Sequence, residues 1–218
     1  MAKKHLIFDL DGTLLDTIAD IAKAISMALE QCGFDRRYDR SNAKPLLGDG
    51  ADALLRRALS GLSDKKEDFD RLKSAYLPNY KAYQGDSSLP FDGMVETLEK
   101  LQNEGIDLFV VTNKPDHLAQ IILKQKMPSI SFASIMGHKE GNPVKPNPFQ
   151  VDQIIELGNY KIEECLFIGD SHVDIDTARN AGVEVALCTW GYDEYTEALL
   201  ERADYILHRP SDLLSIVK

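Results

Sequence analysis

The chain has 218 residues, a formal net charge of −10 at pH 7 and 44% hydrophobic residues. This length allows one large domain or a core with a smaller insertion, and the composition is sufficient for a sizeable apolar core. The acidic balance argues against a nucleic acid or an anionic membrane as partner, because both bind basic surfaces. No apolar run approaches the roughly 20 residues of a membrane span, and the first one meets an acid too soon for a signal peptide.

The three cysteines, Cys32, Cys165 and Cys188, have no short paired spacing. This pattern predicts reduced, buried thiols in a cytoplasmic protein and argues against a metal site built on cysteine.

The first predicted element is a short buried strand, His5-Leu6-Ile7, which leads to two carboxylates, Asp9 and Asp11. Residues two apart on a strand share a face, about 6.6 Å from each other. Buried carboxylates at that spacing require a cation, a shared proton or solvent. A lone Asp-Gly is usually a simple turn. Asp-x-Asp-Gly-Thr after an apolar strand instead favours a nucleophile and metal ligand at Asp9 and an acid/base group at Asp11.

The next segment, 16–82, is predicted to be entirely helical. Apolar residues recur at helical spacing from Ile18, and Gly33 is expected to end the first helix. A shorter helix lies near 54–59, and a longer one over 64–83 is expected to break at Pro78. The polar stretch 84–88 has the composition of a linker.

Strands and helices alternate from residue 89 onwards. The strands are predicted at 106–112, 131–136, 165–169, 183–187 and 205–207, and the helices at 94–105, 116–126, 148–157, 172–181, 193–202 and 212–217. Continuous apolar strands between helices indicate a parallel sheet covered on both faces, with right-handed crossovers.

The predicted fold class is therefore α/β, a Rossmann-like parallel sheet with helices on both faces and a small all-helical cap inserted after strand 1. We expect residues 1–15 and 83–218 to form the core and 16–82 the cap. An insertion at the carboxyl edge of the sheet lies where ligands bind in open α/β folds, a position that suits a lid.

Two polar motifs follow the core strands. Thr112-Asn113-Lys114-Pro115 places a hydroxyl and backbone N–H groups near a helix start, which is consistent with an anion cradle and equally with helix capping. Lys145 lies among three prolines, which stiffen its loop. Lysines are usually solvated, but a rigid frame around one cation favours a phosphate contact.

A third motif, Gly169 to Asp174, follows another apolar strand. Asp170 ends the strand, Ser171 is placed to cap the next helix, and Asp174 shares a side with Asp170 at a spacing of four residues. Carboxylate oxygens without histidine or cysteine favour Mg²⁺ over Zn²⁺. Two helix caps would not explain why an acid comes directly off a buried strand.

The motifs resemble, in order and type, those of the haloacid dehalogenase superfamily, over essentially the whole chain. The matching residues are Asp9, Asp11, Thr112, Lys145, Asp170 and Asp174. The chain is most similar to phosphoglycolate phosphatase-like members of that superfamily. The segments that carry this closer resemblance are Leu47–Gly50, Val111–Pro115, Lys145–Pro148 and Trp190–Tyr192.

The resemblance implies an Mg²⁺-dependent phosphatase that forms an aspartyl-phosphate on Asp9, with Asp11 as the acid and base. Asp9, the backbone carbonyl of Asp11 and Asp170 would hold the metal, and Asp174 would orient its shell. Thr112, the Asn113 backbone and Lys145 would hold the phosphoryl oxygens. The cap residues that would bear on specificity are Gly48, Asp49 and Gly50.

The implied substrate is a small phosphorylated metabolite, with 2-phosphoglycolate as the first candidate, and the chain would be a monomer or a homodimer. The alternatives are a phosphomutase similar to β-phosphoglucomutase, a pyrophosphatase or nucleotidase, and a catalytically silent binding module. Arg56 and Arg57 of the cap are expected to be solvated rather than to bind a substrate carboxylate.

Overall fold

The computed structural model describes residues 2–217 and contains a six-stranded parallel sheet. The strands of the described residues, in chain order, are β1 (His5–Phe8), β2 (Leu15–Asp16), β3 (Leu89–Pro90), β4 (Asp107–Pro115), β5 (Ser134–His138), β6 (Cys165–Gly169), β7 (Glu184–Cys188) and β8 (Tyr205–Leu207). The sheet order is β5-β4-β1-β6-β7-β8, whereas β2 and β3 are short and lie outside this sheet. Every residue of β1 and β6 is buried, as expected for central parallel strands.

From residue 90 onwards the helices alternate with the strands and cover both faces of the sheet, whereas the first three helices follow one another in the segment before it. They are α1 (Ile18–Gln31), α2 (Gly50–Leu59), α3 (Lys66–Tyr83), α4 (Met94–Asn103), α5 (Asp116–Lys126), α6 (Phe149–Gly158), α7 (His172–Ala181), α8 (Glu197–Leu200) and α9 (Leu213–Ile216). Short 3-10 turns lie at Lys44–Leu46, Ile162–Glu164 and Pro210–Asp212. The predicted α/β class is confirmed. None of the helices within 2–217 is both long and apolar enough to cross a membrane.

The core has two layers because successive side chains of a strand point to opposite faces. In β1, Leu6 and Phe8 pack with residues of α4, α5 and α9, whereas Ile7 packs with residues of α6, α7 and α8. In β6, Leu166 lies in the same core as Leu6 and Phe8, and Phe167 lies in the same core as Ile7. The apolar runs of the sequence therefore fill two cores, one on each side of the sheet.

The chain forms two compact units, the helical segment Thr17–Leu89 and a core made of the other described residues. The return to the core comes at Pro90, later than the predicted residue 83. The carboxylate of Asp20, in α1, explains this difference. It accepts hydrogen bonds from the backbone N–H groups of Gly85, Ser87 and Ser88 and from the Ser88 hydroxyl, at 2.5 to 3.0 Å. The predicted linker is thus tied to the helical unit.

The expected break at Pro78 is wrong, because α3 is continuous from Lys66 to Tyr83. Proline removes one backbone donor and strains a helix. On both sides of it, however, buried Tyr76 and Tyr80 stack with their ring centroids 5.5 Å apart, and Asn79 donates a side-chain hydrogen bond to the Ala75 carbonyl. Packing of the buried face outweighs the local cost.

The larger differences in element bounds are in β4, β5 and α8. Strand β4 extends to Pro115 rather than 112, with a shift of register against β5 between Val111 and Pro115. Strand β5 starts at Ser134 rather than 131. Helix α8 is four residues long instead of spanning 193–202. It begins after residue 196 because Thr196 is its N-cap, with a hydroxyl that accepts from the Leu199 N–H.

Candidate active site

Three buried aspartates meet at the carboxyl edge of the sheet. Asp9 follows β1, and its backbone N–H donates to the Ile168 carbonyl of β6 at 2.8 Å. Asp170 follows β6, and Asp174 lies in the first turn of α7. Carboxylate oxygens of these three residues lie within 4.8 Å of one another. Adjacent parallel strands in register bring together side chains that are more than 150 positions apart in the sequence.

Lys145 lies between two of these carboxylates. Its Nζ is 2.6 Å from Oδ1 of Asp9 and 2.7 Å from Oδ1 of Asp174, and its side chain is almost fully buried. The Asn113 side chain fixes the backbone of this lysine. Asn113 Oδ1 accepts from the Lys145 N–H at 2.8 Å, and Asn113 Nδ2 donates to its carbonyl at 3.2 Å. The prediction assigned Asn113 a role through its backbone, whereas its side chain positions Lys145.

Both oxygens of Asp170 are held by neighbouring loops. The Thr13 hydroxyl donates to Oδ1 at 3.1 Å, and the Tyr192 N–H donates to Oδ2 at 2.8 Å. Glycines line the remaining space: a Cβ added at Gly12 or Gly191 would lie 2.4 or 2.3 Å from the Asp170 side chain. Real Cβ atoms do not approach so closely, so each loop needs glycine at this point.

Asp174 serves the helix and the site together. Its Oδ2 accepts from the Asp170 N–H and from the backbone N–H and hydroxyl of Ser171, at 2.7 to 3.2 Å. Ser171 and Asp174 form a capping box at the start of α7. The other oxygen of Asp174 contacts Lys145. The capping alternative therefore holds for this residue, and the same carboxylate also lies beside those of Asp9 and Asp170.

Asp11 is held separately. Because β1 ends at Phe8, the predicted strand geometry does not extend to Asp11, which lies in a turn where it bridges Leu15. Lys114 Nζ lies 2.9 Å from Oδ1 and 3.3 Å from Oδ2 of Asp11. The Lys114 side chain is fully buried, and the Asp11 side chain is 22% exposed.

The motif of Thr112 to Pro115 lies inside β4 rather than after it. The N-cap of α5 is Pro115, so the helix-capping alternative for Thr112 and Asn113 is wrong. The buried Thr112 hydroxyl oxygen accepts from the Lys114 N–H at 3.3 Å.

Burial and neighbouring charges shift the pKa values of Asp9, Asp170 and Lys145. Burial raises the pKa of Asp9 to about 7, Lys145 opposes that rise, and Asp174 and Asp11 add to it. Burial, followed by the charges of Asp174 and Asp9, holds the pKa of Asp170 well above its usual range. Burial opposes charge on Lys145, but the two aspartates beside it outweigh burial and raise its pKa.

The charges around Asp9 fit a divalent cation. Asp9, Asp170 and Asp174 carry three negative charges when ionised, and Lys145 supplies one positive charge, which leaves two uncompensated. The ligand atoms that these three residues offer are all carboxylate oxygens, the donors that Mg²⁺ prefers. The residues at this sheet edge therefore fit Mg²⁺.

In the helical unit, the loop of Gly48, Asp49 and Gly50 is braced by Arg57. Gly48 and Gly50 have φ angles of 110° and 85°. The Arg57 guanidinium donates to the Leu46 and Leu47 carbonyls at 3.1 and 2.9 Å and contacts the Asp49 carboxylate. The expectation of a merely solvated Arg57 is wrong. Arg56 lies over the Phe69 ring, 4.3 Å from its centroid.

The prediction missed several residues that hold the site: Thr13, Lys114, Gly191 and Tyr192. The sequence carried a signal for all four. Thr13 follows the first acidic motif directly, Lys114 lies between two predicted phosphate ligands and a proline, and Gly191 and Tyr192 belong to the segment Trp190–Tyr192 that carries the closer family resemblance. Gly191 and Tyr192 come from a loop after β7, and only the fold brings them against Asp170. Among the cysteines, Cys165 and Cys188 are buried as predicted, whereas Cys32 is half-buried.

Comparison with known proteins agrees with this geometry. The family model of haloacid dehalogenase-like hydrolases matches residues 6–188. The phosphoglycolate phosphatase of Aquifex aeolicus is 33% identical over 97% of this chain and 95% of its own length, and that of Vibrio parahaemolyticus is 33% identical over 98% and 96%. A crystal structure of a candidate phosphoglycolate phosphatase from Lactobacillus delbrueckii subsp. bulgaricus superposes with a TM-score of 0.91 at 28% identity, covering 100% of this chain and 99% of that one. The chain therefore belongs to the haloacid dehalogenase-like hydrolase family.

Proposed function

We propose that this protein is an Mg²⁺-dependent phosphatase of a small phosphomonoester, with 2-phosphoglycolate as the first substrate to test. The observation that carries the proposal is the contact of Asp9 with Lys145 beside Asp170 and Asp174. A desolvated carboxylate next to a buried cation and a group of oxygen ligands is suited to attack a phosphoryl group. The similarity to phosphoglycolate phosphatases of two bacteria supports the choice of substrate.

In the first proposed step, a carboxylate oxygen of Asp9 attacks phosphorus, and the phosphorus–oxygen bond to the leaving group breaks. The electron pair of that bond goes to the leaving oxygen. Asp11 donates a proton to this oxygen, so that an alcohol departs rather than an alkoxide. The products of this step are an acyl phosphate on Asp9 and the free alcohol.

In the second proposed step, water attacks the phosphorus of the acyl phosphate. Asp11, now a carboxylate, takes a proton from this water, and the bond between phosphorus and the Asp9 oxygen breaks. Inorganic phosphate leaves, Asp9 regains its charge, and Asp11 regains its proton. One water is consumed for each ester hydrolysed.

Electrostatic repulsion is the main obstacle to binding, because unit charges 4 Å apart repel by about 4 kcal/mol at an effective dielectric of 20. Lys145 offsets part of this repulsion, and we assign Thr112 and the Asn113 backbone to the remaining phosphoryl oxygens. Mg²⁺, held by Asp9, the Asp11 carbonyl and Asp170, would supply charge neutralisation when it is bound.

We assign the choice among substrates to the helical unit, through the loop of Gly48, Asp49 and Gly50. Two left-handed glycines let the backbone present its N–H groups closely to a ligand. The brace by Arg57 keeps that loop in one shape. We expect Gly48→Ala, which is strained at a φ of 110°, to change the ranking of substrates more than the rate on a generic aryl phosphate.

The test is phosphate release in the presence of Mg²⁺ from 2-phosphoglycolate, sugar phosphates, nucleotides, pyrophosphate and an aryl phosphate. The control is Asp9→Asn, which keeps the shape of the side chain and removes the nucleophile. We expect a clear preference for 2-phosphoglycolate and loss of essentially all turnover in the variant. Residual activity of the variant above roughly a tenth would contradict the assignment of the nucleophile, since covalent catalysis depends on it.

The same panel separates the alternatives. A preference for pyrophosphate or nucleotides would replace the proposed substrate while leaving the chemistry intact. Isomerisation of a sugar phosphate without net phosphate release would indicate a mutase. A folded protein that binds Mg²⁺ and releases no phosphate from any compound would favour a binding module.

A further inference from the structure

The active-site edge contains two buried lysines, and each holds a different aspartate. Lys145 contacts Asp9 at 2.6 Å, and Lys114 contacts both oxygens of Asp11 at 2.9 and 3.3 Å. The proposed mechanism uses Lys145 to balance charge, but it assigns no part to Lys114. A fully buried ammonium that spans both oxygens of the proposed acid and base is therefore a feature without an assigned purpose.

The backbone of β4 directs Lys114 to this position. The register of β4 against β5 shifts between Val111 and Pro115, and irregularities of this kind re-aim side chains near active sites. The Thr112 hydroxyl accepts from the Lys114 N–H, and the Asn113 side chain binds the Lys145 backbone. Three successive residues of β4 thus contact three different partners, and Lys114 is the residue that contacts Asp11.

The Asp11 side chain is contacted by Lys114 at both of its carboxylate oxygens. Asp11 lies beyond the end of β1, in a turn where Gly12 has a φ of 94° and its N–H donates to the Leu15 carbonyl. The turn fixes the backbone of Asp11, and the ammonium group of Lys114 restricts rotation of the carboxylate about its side-chain bonds. Proton transfer requires the carboxyl group within hydrogen-bond reach of the reacting oxygen, so a contact that limits this rotation bears directly on the proposed chemistry.

We propose that Lys114 is the positioning residue that holds the carboxyl group of Asp11 where it exchanges protons with the leaving oxygen and with water. This inference rests on the proposed phosphatase mechanism. A lysine suits the purpose because a carboxyl group keeps an acceptor oxygen in both of its protonation states. One oxygen remains on Lys114 while the other gives or takes the proton.

The test compares Lys114→Met, Lys114→Arg, Asp11→Asn and the double variant Lys114→Met/Asp11→Asn. The substrates are an alkyl phosphate, which needs a proton for its leaving oxygen, and 2,4-dinitrophenyl phosphate, whose phenolate leaves without one. Lys139→Met is the matched control, because Lys139 is an exposed lysine at the same sheet edge, 3.8 Å from Asp116. Thermal unfolding of every variant, with and without Mg²⁺, checks that it folds.

We expect Lys114→Met to lower kcat on the alkyl phosphate by at least roughly 100-fold, the lower end of general acid–base catalysis, with little change in KM. On 2,4-dinitrophenyl phosphate, Lys114→Met should release one phenolate per enzyme in a rapid burst, followed by slow turnover. The slow phase is expected because hydrolysis of the acyl phosphate still needs Asp11 in position as the base. Lys114→Arg should recover part of the loss. In the Asp11→Asn background, Lys114→Met should have no further effect, since residues that act as one unit are not additive.

Several outcomes would overturn the inference. A rise in KM without a fall in kcat would make Lys114 a substrate ligand, and additive losses in the double variant would make it independent of Asp11. Full activity of Lys114→Met alongside an inactive Asp11→Asn would refute the positioning role alone and leave the proposed function standing. Full activity of Asp11→Asn on the alkyl phosphate would refute the proposed mechanism itself. If the double variant folds while Lys114→Met does not, the pair is structural, and the proposal fails.

Discussion

The indole nitrogen of Trp190 donates a hydrogen bond to the backbone carbonyl of Thr13, at 3.1 Å. This bond joins two loops that each hold one oxygen of Asp170. Thr13 holds Oδ1 through its hydroxyl, and Tyr192 holds Oδ2 through its N–H. A residue far from the first motif in the sequence thus sets the orientation of a proposed metal ligand.

Trp190→Phe should weaken Mg²⁺ binding. Phenylalanine keeps an aromatic ring against Phe91 but loses the donor to Thr13, so the loops around Asp170 are no longer joined. Loss of a partner outside the ligand shell typically costs 10- to 100-fold in metal affinity, and we expect roughly tenfold here. The measurement is the Mg²⁺ concentration for half-maximal activity, together with calorimetric Mg²⁺ binding.

The control for this variant is Tyr205→Phe, which removes an exposed hydroxyl contact to Glu184 from a residue packed against the same core. It should leave the Mg²⁺ requirement unchanged. An equal rise in both variants would mean that general loosening of the core, rather than the bond to Thr13, is responsible.

Stabilisation by Mg²⁺ should grow as the pH rises. The pKa of Asp9 is raised from 3.8 to about 7 in the folded protein, so the metal-free folded state binds a proton more tightly than the unfolded chain between those values. The contribution of Asp9 to the free energy of unfolding is therefore present below this window and falls as the pH rises through it. Mg²⁺ requires the charged form and replaces the proton.

The measurement is thermal unfolding with and without Mg²⁺ in buffers on either side of pH 7. The gap between the two melting temperatures should be small in acid and large in base. Asp9→Asn should show a smaller gap that varies less with pH. A gap independent of pH in the wild type would place the bound Mg²⁺ away from these carboxylates.

Activity should depend on Mg²⁺ and should not be supported by Ca²⁺. Ca²⁺ takes six to eight ligands at longer distances, whereas Mg²⁺ requires a compact octahedral shell. The loops at Gly12 and Gly191 leave no room for a Cβ beside Asp170. The carboxylates of Asp9, Asp170 and Asp174 therefore have little space to move apart to the longer distances that Ca²⁺ takes. Chelation should abolish phosphate release and added Mg²⁺ should restore it, whereas full activity with Ca²⁺ would contradict the site described here.

Asp20→Asn should destabilise the helical unit. The carboxylate accepts four hydrogen bonds from Gly85, Ser87 and Ser88. The NH₂ group of an asparagine amide would face these N–H and O–H donors and could not accept from them. Hydrogen bonds to a charged group are worth about 1.5–3 kcal/mol, and we expect a loss in that range. Urea unfolding checks this against Asp86→Asn, which affects an exposed pair with Lys23 and should cost less than about 1 kcal/mol.

Much of the core could be predicted because its signals are local. The apolar runs that end at Phe8 and Gly169 are buried strands, and the acids that follow them lie at one sheet edge. The extension of β4 through Thr112 to Pro115 was not predictable in this way. A polar stretch ending in proline has the composition of a loop, and only pairing with a neighbouring strand makes it part of a sheet. The same holds for Pro78, where distant packing outweighs a local preference.

The sequence by itself determined the class of fold, the family resemblance and the identity of the acids and of Lys145, because periodicity and short motifs are properties of neighbouring residues. The tertiary structure alone decided which side chains meet. It paired Lys114 with Asp11, joined Trp190 to Thr13, and tied the segment before Pro90 to Asp20. These contacts link residues 65 to 177 positions apart in the chain. Their partners are selected by the register of the sheet and by the packing of loops, and no local pattern encodes either of these.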